Sequence, residues 1–201
     1  MATVVERDVE QSWVERRQAA TRWSFLLPFL FGAFALGAPT FSFGWALVVA
    51  TGCALAVVVH ALFRARHGYV SRAATALYSM FQVDLMCVFA TVFAWRVTRS
   101  SWWVLVVFAA LLAVAAATGI LWRRVVLQEL FAPRARVGAL LAGLVGGGAA
   151  GGGAVGFALG RGAGGWAIGA AVLAIACYAA LARQALWLKV EEPNWQPRPA
   201  R

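Results

Sequence analysis

The chain has 201 residues, of which 62% are hydrophobic and only 13% charged, with a formal net charge of +10. Soluble domains carry roughly 45–50% apolar residues, so this composition excludes an ordinary water-soluble fold and points to a polytopic membrane protein. The basic excess does not point to nucleic acid, because the arginines stand at the ends of apolar runs, where they mark membrane topology.

In chain order, residues 1–22 read as a short cytoplasmic amphipathic helix lying on the membrane surface. Thr3 and Glu6 have capping-box spacing, and Val5, Val9 and Trp13 share a face opposite Glu6, Asp8, Glu10 and Arg17. Six apolar segments follow, at 23–38, 43–63, 73–95, 102–123, 137–159 and 165–188, near the length of about 20 residues that crosses a hydrocarbon core. The first is short and holds Pro28, which membrane helices tolerate. The expected fold is therefore an all-α integral membrane protein, a six-transmembrane-helix bundle with an N-terminal interfacial helix. Residues 189–201 contain three prolines and no apolar periodicity, and read as a cytoplasmic tail.

The fifth segment is unlike the others. Thirteen of the twenty glycines fall between Gly138 and Gly165. Glycine weakens an exposed helix in water by about 1 kcal/mol relative to Ala. In hydrocarbon the backbone must pair within its own segment, so the helix persists and glycine serves close packing. Two ridges step by four residues: Gly143, Gly147 and Gly151, and then Gly148, Gly152, Gly156 and Gly160. Each is expected to admit a neighbouring helix.

Orientation follows from arginine and lysine. Fifteen lie on one side of the six segments, and Arg96, Arg99 and Arg161 on the other, which puts both termini in the cytoplasm of a plasma (inner) membrane. Eight of the ten tryptophans stand at segment ends, as interfacial anchors do. Arg64, Arg66, Arg72, Arg123, Arg124, Arg134 and Arg136 form an inner basic surface. Anionic lipid headgroups at the cytoplasmic face are its expected partners, at about 1 kcal/mol per cation, with other membrane subunits or a second copy the sharper possibility.

Asp84 breaks the membrane pattern, since it lies about halfway along the third segment with Met80, Cys87 and Thr91 on its face. By sequence position no Lys or Arg shares its depth, so the carboxyl is expected to be protonated and to donate to a carbonyl or hydroxyl. Thr91 and Tyr178 are the companion candidates for a polar site, which serves either a proton or ion path or simple interhelical hydrogen bonding. Gln82 and Ser79, on the opposite face of the segment, are expected to bond a second neighbour.

The three cysteines form no paired motif and read as core thiols; two histidines are too few for a metal or haem site, so neither metal nor cofactor is expected. No Walker A, GxSxG or HExxH motif occurs, so no catalytic residue is assigned. The expected function is that of a non-enzymatic, helix-packing subunit of a homo-oligomeric or larger membrane complex, working through the glycine-rich helix. The alternative is a small ion, proton or solute channel or transporter component that uses Asp84.

Overall fold

A computed structural model describes residues 26, 28–36, 41–67, 71–99, 101–125, 128 and 137–192. The amphipathic helix expected over 1–22, Arg134, Arg136 and the tail beyond 192 lie outside the described residues. So does the Arg72 side chain.

Among the described residues the fold is all-helical, with no strand. Helix α1 covers residues 28–36. It is followed by α2 (Phe43–His67), α3 (Arg72–Val97), α4 (Trp102–Leu121), α5 (Val137–Ala158), α6 (Ala163–Ala182) and α7 (Gln184–Glu191). Four of these, α2, α3 from Ala73, α4 and α6, are long and apolar enough to cross a membrane. Their outer surface agrees: Leu47, Val58, Val106, Val114 and Leu121 are all more than half exposed, a surface suited to hydrocarbon and poorly suited to water.

Helix α3 is the hub. It packs against α2, α4, α6 and α7, whereas α5 packs against α6 and against no other described helix to a similar extent. Helices α2 and α4 bury only narrow stripes, Val49, Ala56 and Phe63 on the first, Val104, Phe108 and Gly119 on the second. The seven-residue spacing of the α2 stripe keeps one helical edge against the bundle and leaves the rest to lipid.

Two glycines fix how α6 lies on α3. A Cβ on Gly169 would fall 2.7 Å from the Ala94 carbonyl oxygen, and one on Gly165 would collide with the carbonyl of Val97. Further down, Cys87 Sγ donates to the Ala176 carbonyl at 3.3 Å. The pairs 97–165, 94–169 and 87–176 run in opposite directions along the chain, so α3 and α6 are antiparallel and in backbone contact over most of their length. Small residues at Ala90, Ala94, Ala176 and Ala180, all nearly fully buried, complete the seam.

Helix ends are set by local chemistry. Ser71 caps α3 by accepting from the Ala74 amide at 3.3 Å. The α5–α6 turn is a Schellman motif: Gly160 has φ +63°, its N–H donates to Phe157, and the Arg161 N–H donates to Gly156 at 2.9 Å. Gly160 therefore ends the helix, in a left-handed conformation that a side chain would strain, and a Cβ there meets nothing. Its expected place in the packing ridge is corrected accordingly. At the other end of α6, Arg183 keeps helical backbone angles, so α7 prolongs α6 to Glu191, three residues past the sequence-based boundary at 188.

Candidate functional site

The polar chemistry of the bundle concentrates where α3 meets the α6–α7 junction. The antiparallel register places Arg183 about one turn below Asp84, and its long side chain reaches back so that Nη1 lies 3.1 Å from Asp84 Oδ2. Asp84 thus has a cation within ion-pair distance, and the expectation that no Lys or Arg shares its depth is corrected. Depth along a segment says nothing about an arginine on another helix whose side chain can climb a turn. The two partners differ in setting: the Arg183 side chain is 15% exposed and that of Asp84 is 48% exposed. Arg183 Nε is buried without a hydrogen-bond partner among the described residues.

The other candidates do not join this pair. Thr91 Oγ1 donates to the Cys87 carbonyl of its own helix at 2.8 Å. Tyr178 makes no hydrogen bond among the described residues. Gln82 is fully buried, but both polar atoms of its amide lack a partner among the described residues, so the expected bond to a second helix is not seen there. A closed amide of this kind opposes the packing around it by about 1–3 kcal/mol.

The glycine ridges separate into two environments. Gly148, Gly152 and Gly156 face α6: a Cβ on Gly148 would fall 3.1 Å from the Ala170 carbonyl oxygen, one on Gly156 2.8 Å from Trp166 Cβ, and one on Gly152 would collide with the Trp166 carbonyl. Gly143, Gly147 and Gly151 face away, and a Cβ on any of them meets nothing within 4 Å. Within the described chain one ridge is therefore filled and the other is open. Among the described residues, a neighbouring helix lies against the first ridge only.

Charged side chains at the helix ends also sort into two groups. Arg123 pairs with Glu191 at 2.6 Å, Arg124 pairs with Glu192, and the Trp187 indole donates to Glu191. Two of the seven arginines of the expected basic surface are thus paired, by Glu191 of α7 and by Glu192, the residue that ends it. Arg64 and Arg66, at the end of α2, are exposed and make no ion pair among the described residues.

Some residues carry roles that the sequence pattern did not signal. Arg96, read as an outer-loop charge, is 8% exposed and donates to the Ala35 and Leu36 carbonyls at the end of α1. A cation is favourable there because those carbonyls are the negative end of the helix dipole. His60 Nδ1 lies 2.7 Å from the Tyr78 hydroxyl, joining α2 to α3. Trp45, Trp95 and Trp102 form one aromatic cluster with centroids 4.5–6.0 Å apart, and Trp95 Nε1 donates to the Ser101 carbonyl, tying the α3–α4 turn. Trp95 and Trp166 are buried, so these two pack the bundle rather than anchor it to headgroups.

Comparison of the chain with family models, with characterised proteins and with solved structures finds no match.

Proposed function

We propose that the chain is a non-enzymatic subunit of a membrane complex, and that α5 joins it to a second copy or to another subunit. The observation that carries this reading is the divided surface of α5. Its Gly148–Gly152–Gly156 ridge is consumed by α6, while among the described residues the Gly143–Gly147–Gly151 ridge meets nothing and presents bare backbone. Lipid offers no hydrophobic drive between helices, so close backbone approach along such a ridge is a main source of association within a bilayer. Leucine at both Gly147 and Gly151 should accordingly separate chains without unfolding them, read as a lower particle mass with an unchanged melting temperature.

In this reading the chain crosses the inner membrane six times with both termini in the cytoplasm, as the fifteen-to-three division of basic residues supports. An impermeant thiol reagent applied to intact cells should label Gly162→Cys and spare Arg66→Cys in a background without native cysteines. The reverse pattern would invert the orientation.

A transport reading retains one supporting observation, the half-exposed carboxyl of Asp84 at mid-helix. The Arg183 partner favours the structural role, because the carboxyl is already engaged by a side chain of the same bundle 3.1 Å away.

A further inference from the structure

Between the last two turns of α2 and the first turns of α3 lies an open groove of about 380 Å³, within the size range of small-ligand sites. Its floor is rigid. Phe63 and Tyr78 stack with centroids 4.6 Å apart and planes 9° from parallel, both rings are buried, and the Tyr78 hydroxyl is fixed by His60. Val59, Leu62, Leu77 and Phe81 form the walls, and Arg66 and His67 stand at one end. Leu62 and Leu77 are each about half exposed on the outer surface, so the groove opens sideways to the bilayer.

The charge around this groove is one-sided. No Asp or Glu occurs between Glu15 and Asp84, a stretch that includes Arg64, Arg66 and Arg72. Asp84 is engaged by Arg183. The contrast with Arg123 and Arg124 is direct, because those cations have carboxylates of their own, whereas Arg64 and Arg66 pair with none among the described residues. An apolar slot entered from hydrocarbon and ending in a cation that pairs with no carboxylate among the described residues matches one kind of molecule: an acyl chain carrying a negative headgroup.

We propose that the α2–α3 groove is a binding site for one anionic phospholipid, whose acyl chain lies along the Phe63–Tyr78 floor and whose phosphate meets Arg66, with His67 beside it. Arginine suits the role because its planar fork can hold two phosphate oxygens at once. The site does not depend on the assembly role of α5, which lies elsewhere on the surface.

The test is native mass spectrometry of the full chain released from vesicles of equal phosphatidylglycerol and phosphatidylcholine content. The wild type should retain phosphatidylglycerol over phosphatidylcholine by about fivefold or more, the gain expected from one juxtamembrane cation. Arg66→Gln should remove about that factor, and Arg124→Gln should leave the preference intact. Ala74→Phe, which fills the groove, should reduce retention of both lipids. Arg66→Gln lies at an exposed helix end and leaves the packing alone, so its result decides the matter even if Ala74→Phe lowers stability. Equal retention of the two lipids by the wild type, or equal effects of Arg66→Gln and Arg124→Gln, would overturn the proposal. So would a wild type that retains no lipid until residues 1–20 are deleted, since the groove would then belong to that segment of the chain.

Discussion

Gly152→Leu is expected to strip α5 from the bundle. Even the first carbon of a side chain at 152 would collide with the Trp166 carbonyl and stand 2.6 Å from Ala170 Cβ, and leucine adds three more carbons in the same direction. Helix α6 cannot retreat, because its opposite face is in backbone contact with α3 through Gly165 and Gly169. Over-packing in a core costs about 1–3 kcal/mol when side chains can shift. Here the obstacle is backbone, which cannot change rotamer, so the cost should reach or exceed the top of that range. A fall in melting temperature in detergent, together with protease cleavage near the Gly160 turn, would report the detachment. An unchanged melting temperature for Gly152→Leu would mean that α5 does not lie on α6.

The second large effect belongs to the Asp84–Arg183 pair. Asp84→Leu leaves a guanidinium 15% exposed with no carboxylate, and removing one partner of a buried ion pair costs about 3–5 kcal/mol. The half exposure of Asp84 places the expected loss at the lower end of that range. Leucine at both positions should recover much of the loss, because replacing both members of such a pair by apolar groups is often neutral. Additive losses in the double variant would show that the two residues act separately.

Asp84→Asn divides the structural from the transport reading. An amide still accepts from Arg183 and should preserve assembly, whereas a carboxyl that must change its charge during a cycle has no substitute in asparagine. Reconstituted wild type that carries pH-gradient-driven flux, lost in an intact Asp84→Asn assembly, would favour transport. No flux in the wild type would retire that reading for the isolated chain.

The membrane class was legible in composition because lipid imposes one requirement on every residue of a span. Helix limits agree in part: α4 and α5 fall within the expected 102–123 and 137–159, α3 differs from 73–95 by one to two residues, and α2 runs four residues past its expected end at 63. Pairing between helices was not legible, because it depends on register, and register is set by contacts such as Gly169 on Ala94 that leave no periodic trace in either helix. Arg183 and Arg96 were both taken as topology marks, yet one binds Asp84 and the other caps α1. The four-residue spacing of glycine identified both ridges, but spacing alone cannot say which faces a neighbour. Nor could it separate Gly160, whose role is conformational, from the packing glycines four, eight and twelve residues before it.

The central claim, that the outer ridge of α5 is an assembly surface, is tested most directly by particle mass in discs of native lipid, comparing wild type with Gly147→Leu/Gly151→Leu. A single chain contributes 21.5 kDa. Wild-type particles are expected to contain more than one protein chain, and double-variant particles one chain with the wild-type melting temperature. Wild-type particles of one chain, or double-variant particles unchanged in mass, would contradict it.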